Sequence, residues 1–138
     1  METKLFVAAK AVITFNQKIL IIRESANYSD GTKQGLFDVP GGRISPGEKV
    51  EESLLREVKE ETGLDVKIGN AFFVNESSPI VKGEQWQIIR IFFGCVSNSD
   101  KVKLSKDHNE FKWINPKEYK NYNIIDNLFP MIEEYLKK

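Results

Sequence analysis

The chain is poor in the residues that build disulfide scaffolds and metal–thiolate sites: its 138 residues include one cysteine, Cys95, and one histidine, His108. A single cysteine cannot form an internal disulfide, and no second thiol or imidazole stands at zinc-binding spacing. Cys95 lies in the apolar run IIRIFFGCV and reads as a buried, inert thiol, whereas His108 lies among charged residues and reads as solvated. An excess of one charge is also missing, since 20 basic residues cancel 20 acidic ones. There is thus no overall positive field of the kind that marks a duplex nucleic-acid binder, which leaves a small phosphorylated ligand held by a local patch. No apolar run approaches membrane-spanning length, and the early LFVAAKAVITF is broken by Lys10 and lacks a basic leader. The expectation is a cytoplasmic protein with no membrane partner. Repeats and low-complexity tracts are absent too. What remains, 41% hydrophobic, suffices for one well-cored domain over residues 1–138 and not for two.

The most specific pattern is GRISPGEKVEESLLREVKEETGL, from Gly42 to Leu64. Its fixed points are Gly42, Glu48, Arg56-Glu57-Val58, Glu60-Glu61 and Gly63-Leu64. Such a match arises by accident in roughly one chain of this length in a hundred million. A helix from Val50 to Thr62 puts Val50, Leu54, Leu55 and Val58 on one side and Glu57, Glu60 and Glu61 on a neighbouring arc, with Glu61 nearest the apolar side. Carboxylates that close repel one another, and partial burial raises the cost, so a positive charge belongs among them. Arg56 is one candidate and a hard divalent cation is the other, since magnesium takes oxygen donors and is typically held by one or two carboxylates plus substrate phosphates. The plain alternative is a surface helix laced by Glu52–Arg56 and Arg56–Glu60 pairs. Ser45-Pro46-Gly47-Glu48 has the form of a capping box at the helix entry, and Gly63 that of a left-handed stop. Pro40-Gly41-Gly42 allows a tight turn that could leave a carbonyl facing a metal.

Around this run, Lys4–Phe15 and Lys18–Arg23 read as a hairpin turning at Asn16-Gln17. Alternation places Lys10 with Ala8 and Val12, and Arg23 with Ile19 and Ile21, so each cation emerges from an apolar face. Glu24–Gly35 is a polar loop of a length that often carries function. Gly35–Val39 reads as a brief strand in which Phe37 packs. Asp65–Asn75 and Gln85–Ser97 read as strands joined by a turn through Pro79 and Gly83. The second is apolar on both faces and therefore an inner strand, where Arg90 needs an acidic partner or a phosphate. Asn98–Asn109 reads as a polar linker, Glu110–Ile114 as a strand, and Ile124–Lys138 as a helical stripe with Pro130 in its first turn or at a bend.

The fixed points of the Gly42–Leu64 run are those of the Nudix box, and the chain resembles the Nudix hydrolase family, in size its small MutT-like members. The resemblance implies an α/β fold: an α/β/α sandwich with a mixed β-sheet between the box helix and a C-terminal helix. It implies divalent-metal-dependent hydrolysis of a nucleoside diphosphate linked to another group, with Mg2+ or Mn2+ as cofactor. Matched to the box, the metal ligands would be Glu57, Glu60, Glu61 and the Gly42 carbonyl. Arg56 would orient Glu57, Glu48 would brace the loop, and Glu57 would lead Glu110 as general base. Arg23, at the end of the second strand, and Arg90 would meet substrate. A nucleoside triphosphate giving monophosphate and pyrophosphate is the first substrate reading. ADP-ribose or another nucleotide sugar is the alternative, since Pro79 stands fifteen residues after Leu64. A non-catalytic nucleotide-binding module of the same fold is a third reading, and a homodimer is left open.

Overall fold

Apolar alternation near the N-terminus builds the hairpin at the centre of the sheet. In the computed structural model, which describes residues 2–25 and 35–137, β1 (Thr3–Phe15) and β2 (Lys18–Glu24) run antiparallel. Asn16 and Gln17 join them with φ of 51° and 66°. Positive φ at both central residues matches the turn to the twist of its strands. The pairing is short, limited to Thr14–Ile19 and Phe15–Lys18, after which the strands separate. The segment that follows fills the gap between them. Its β3 (Phe37–Asp38) pairs with β2, its β4 (Gly41–Arg43) pairs with β1, and the Ala11 N–H donates to the Pro40 carbonyl at 2.8 Å. Most of the long polar loop, residues 26–34, lies outside the described residues.

The box helix, α1, spans Val50–Thr62 as predicted, and Gly63 ends it in the left-handed conformation with its N–H on the Lys59 carbonyl. Its entry differs from the expected capping box. Ser45–Glu48 closes a turn, with the Glu48 N–H on the Ser45 carbonyl at 3.0 Å and Gly47 at φ 86°, a value no helix accommodates. Only half of the box exchange persists, the Ser45 N–H donating to Glu48 Oε1 at 3.3 Å. The buried side of α1 is also narrower than the periodicity predicts. Leu54 and Val58 are fully buried, with Ser53 and Thr62 beside them, while Val50 and Leu55 are exposed.

After α1, β5 (Val66–Ser77) and β7 (Glu84–Ser97) pair antiparallel, with Pro79 and the short β6 (Ile80–Val81) in the connection. β7 also runs parallel to β1 from Thr3–Gln85 to Thr14–Val96, which makes it the inner strand expected. β8 (His108–Ile114) lines the other edge of β2, so the main path is β3-β2-β1-β7-β5 with β8 outside β2. The C-terminal helix, α2, covers only Phe129–Leu136, with Pro130 in its first turn. The stripe from Ile124 starts earlier because Ile124 and Ile125 are used as extended chain: the Ile125 N–H donates to the Phe37 carbonyl at 3.0 Å, and the Phe37 N–H reaches the Asn123 carbonyl at 2.8 Å.

The helices lie on opposite faces of this mixed sheet. Val12, Ile19, Ile21 and Phe92 pack with Leu128, Met131 and Ile132, whereas Ala11, Ile13, Leu20 and Cys95 pack with Leu54 and Val58. The α/β/α sandwich expected from the resemblance is the observed architecture. Burial pushes the Cys95 thiol up to about 12, so it stays protonated and inert. No described helix is long and apolar enough to cross a membrane.

Candidate active site

On α1, residues three and four apart share a face, and the charged face is organised by one guanidinium. Arg56 donates from Nε to Glu48 Oε2 at 2.9 Å and from its terminal nitrogens to Glu48 Oε1 at 3.2 Å and Glu57 Oε1 at 3.1 Å. Glu60 is the outermost partner, 3.4 Å from Arg56 and largely exposed. Arg56 thus ties the loop glutamate to the helix and fixes Glu57 through a rigid fork. The neighbouring arginine holds the Glu48 carboxyl below its ordinary pKa. The Glu52–Arg56 pair of the surface-helix alternative does not form; Arg56 faces the loop instead.

Glu61 has a different environment. It accepts from the Gly41 N–H at 2.8 Å and lies with Glu57 in a cleft of about 560 Å³ floored by Gly41 and Gly42. Burial, with added repulsion from Glu57 and Asp38 and relief from Lys10, pushes its pKa up to about 8. The two glycines are tight for different reasons. Gly41 has φ 138°, and a Cβ there would overlap the Ala9 carbonyl oxygen. A Cβ on Gly42 would lie 2.8 Å from the carboxyl carbon of Glu57. The box glycine is therefore an absence of volume into which the Glu57 carboxylate fits.

A narrower cleft of about 130 Å³ adjoins Glu61, lined by Lys10, Asp38, Gly41 and His108. Lys10 Nζ is 3.4 Å from Asp38 Oδ2. The expectation of a solvated histidine is wrong: His108 is half-buried as the first residue of β8, and its Nδ1 has no hydrogen-bond partner among the described residues. Burial, assisted by Lys10, holds it below its ordinary pKa and hence neutral. The segment read as a linker delivers it, because Lys103 and Ser105 donate their N–H groups to the Thr62 and Glu61 carbonyls at 2.9 and 3.3 Å. These carbonyls are orphans of the helix C-terminus, and pairing them draws the chain past Glu61.

The remaining predicted residues lie elsewhere. Arg23 pairs with Glu110 at 2.9 Å and donates to Asn109 Oδ1 at 2.9 Å, and Glu110 also meets Lys112 at 3.0 Å. Neither Arg23 nor Glu110 lines the cleft of Glu57 and Glu61. Arg90 is buried and donates to Ser77 Oγ at 2.9 Å and Asn75 Oδ1 at 3.5 Å. It makes no ion pair among the described residues, so neutral oxygens stand where an acidic partner was expected. Burial pulls its pKa down, and the charge of Asp38 offsets part of that. Asp38 and Arg43 were not singled out from the sequence, although the cation Lys10 on an apolar face was a signal for a charged partner opposite it.

The donor set suits a hard cation. Two carboxylates, one destabilised by burial beside the other, face a cleft across a glycine turn that leaves room for nothing larger. Among the described residues no three His, Cys, Asp or Glu side chains converge into a cage. The protein would thus contribute few donors, Glu57 and Glu61 first among them, and leave the other positions to water and phosphate, as suits a small hard cation.

An α/β/α sandwich that sets clustered helix glutamates against a glycine turn defines a Nudix-type hydrolase. The chain belongs to the NUDIX domain family, whose model matches residues 4–135. It is 26% identical to the nucleoside triphosphatase NudI of Escherichia coli over 68% of its own length and 72% of that protein's. Among solved structures, the MutT protein of Methanosarcina mazei superposes with a TM-score of 0.80 at 26% identity, covering 100% of this chain and 99% of that one. A MutT NUDIX hydrolase of Burkholderia pseudomallei shares the fold at a TM-score of 0.78 and 20% identity, over 95% and 98% of the two chains.

Proposed function

We propose that this Nudix hydrolase cleaves a nucleoside triphosphate to the monophosphate and pyrophosphate in the cytoplasm, using magnesium or manganese. The observation that carries the reading is the pair Glu57 and Glu61, facing one cleft across Gly41 and Gly42 with Arg56 fixing Glu57. The likeness to NudI, a nucleoside triphosphatase, supports the substrate class. Glu57 and Glu61 are the principal holders of the cation, with Glu60 and the Gly42 carbonyl beside them. The cation, when bound, supplies positive charge to neutralise what develops on the phosphate oxygens.

The chain's own residues do the rest. Glu57, held in one orientation by Arg56, takes the proton of the attacking water, and Glu110 is the second candidate for that role. The water oxygen bonds to one phosphorus of the bridge, the bridging P–O bond breaks, and its electron pair leaves with pyrophosphate. Glu48 fixes the far side of Arg56 and so keeps the fork from turning away from Glu57. The test is product analysis with magnesium against nucleoside triphosphates, oxidised dGTP, ADP-ribose, nucleotide sugars and dinucleoside polyphosphates, with Glu61→Gln alongside. Monophosphate and pyrophosphate from a triphosphate, lost in the variant, is the expected result. Cleavage of ADP-ribose alone would overturn the substrate, and silence from folded protein would overturn the reaction.

A further inference from the structure

Beside the carboxylate cleft lies a second, of about 470 Å³, lined on one side by three planar groups, Phe6, Arg43 and Trp86. Phe6 on β1 and Trp86 on β7 are brought together by the parallel register that sets Lys4 opposite Trp86 and Phe6 opposite Ile88. Their ring centroids are 4.6 Å apart at 62°. Arg43, the residue after the box glycine, sits in the corner they form, with Cζ 4.4 Å from the Phe6 centroid and 5.2 Å from that of Trp86. The indole is held: its Nε1 donates to Glu84 Oε1 at 3.3 Å, and Glu84 is in turn paired with Lys4 at 2.6 Å. Val81 and Ile88 supply an apolar wall. Phe6 and Arg43 also line the cleft of Glu57 and Glu61, so the two spaces share a wall.

Three planar groups beside a phosphate-cleaving site form a platform for stacking rather than a fork for phosphate. Guanidinium planes and indole faces both accept a heteroaromatic ring, whatever its hydrogen-bonding edge. Arg43 is exposed on its outer side and committed to two rings on its inner side. Lys4 is paired with Glu84, and the remaining charged side chains lining the cleft besides Arg43, which are Lys82 and Glu24, are of opposite sign, so the rim has little excess charge with which to draw a phosphate tail. We infer that the nucleobase of the substrate stacks here, on the outer face of Arg43 and against Trp86, and that Trp86 is a specificity-determining residue. The inference rests on the nucleotide-cleaving reading given above, and the experiment separates the two.

Trp86 and Trp113 are the two tryptophans of the chain, so Trp113→Phe leaves Trp86 as sole reporter. That protein would be titrated with an α,β-methylene nucleoside triphosphate and with tripolyphosphate, both with magnesium, while hydrolysis of the natural triphosphate is measured in parallel. Stacking predicts quenching by the nucleotide analogue and none by tripolyphosphate. Trp86→Leu and Arg43→Gln should raise KM about tenfold with kcat within about threefold, and Trp86→Phe should restore most of the loss even if the leucine variant folds poorly. Hydrolysis without quenching, and an unchanged KM in Trp86→Leu, would overturn the stacking site and leave the reaction standing. Equal quenching by tripolyphosphate would overturn it in favour of a phosphate-tail site. Quenching by the analogue without turnover of any triphosphate would uphold the stacking site while removing the catalytic reading, and neither signal would remove both.

Discussion

Glu61 on α1 and Glu110 on β8 are the same side chain moved in opposite directions by one fold. Glu61 is buried beside Glu57 and Asp38, and its pKa rises to about 8. Glu110, bonded to Lys112 and close to Arg23, is held below its ordinary value. The first keeps its proton in the metal-free fold, and the charge it would carry on losing that proton is only partly compensated by the protein, which is the condition for accepting a cation in the proton's place. The second is neutralised by its neighbours and has little left to offer a ligand. Both are acids expected at the site from the resemblance, so local charge balance, not residue type, separates them.

Glu61→Gln would break the contrast most deeply. It removes the negative charge without changing volume, and turnover should fall about 10²–10³-fold with thermal stability unchanged or raised. Near-normal kcat would place the chemistry elsewhere. Gly42→Ala follows, because the new Cβ would push into the Glu57 carboxyl group. A displacement of about 1 Å at a reacting group costs about 10²-fold, read as kcat against a normal circular dichroism spectrum. Arg56→Lys keeps the charge and loses the fork between Glu48 and Glu57, so a loss of about 10–100-fold is expected, to be measured with Glu48→Gln as its partner in a double-mutant cycle.

The pKa contrast also sets a direction for stability. Glu61 titrates at 4.5 ordinarily and at about 8 in the fold, so the metal-free native state keeps a proton that the unfolded chain has released. Its contribution is full below about pH 4.5 and is lost as pH rises towards 8, the reverse of an ion-paired carboxylate. Melting curves across that window should fall more steeply for the natural protein than for Glu61→Gln, and magnesium should raise Tm more at the alkaline end. Parallel curves for the two proteins would refute the buried-acid description. The smallest effect belongs to Glu110→Gln, whose exposed pairs predict less than about a fivefold change in kcat. A loss of orders of magnitude there would make Glu110 the base in place of Glu57.

What could be read from the sequence was local. The span of α1, the stop at Gly63, the arc of Glu57, Glu60 and Glu61 and the inner position of β7 all follow from periodicity within a few residues. The entry turn was misread because Ser45 and Glu48 satisfy the same spacing in a helix cap and in a turn, and only the conformation of Gly47 decides between them. His108 was misread because its burial depends on Lys103 and Ser105 bonding the end of a helix forty residues earlier in the chain. Phe6, Arg43 and Trp86 come from three separate strands, and no pattern within any one of them announces their meeting.

β1 carries Phe6 at one cleft and Lys10 at the other, on the same side of the strand and locked in register with β7. Four residues of strand are roughly 13 Å. The strand therefore works as a caliper whose jaws cannot be reset by repacking: moving one jaw relative to the other while keeping both on the same side takes an insertion of two residues, which would break the parallel ladder. Changes of substrate among descendants of this chain should then appear as changes in what the jaws are made of, at positions 6, 43 and 86, while the span between them stays fixed.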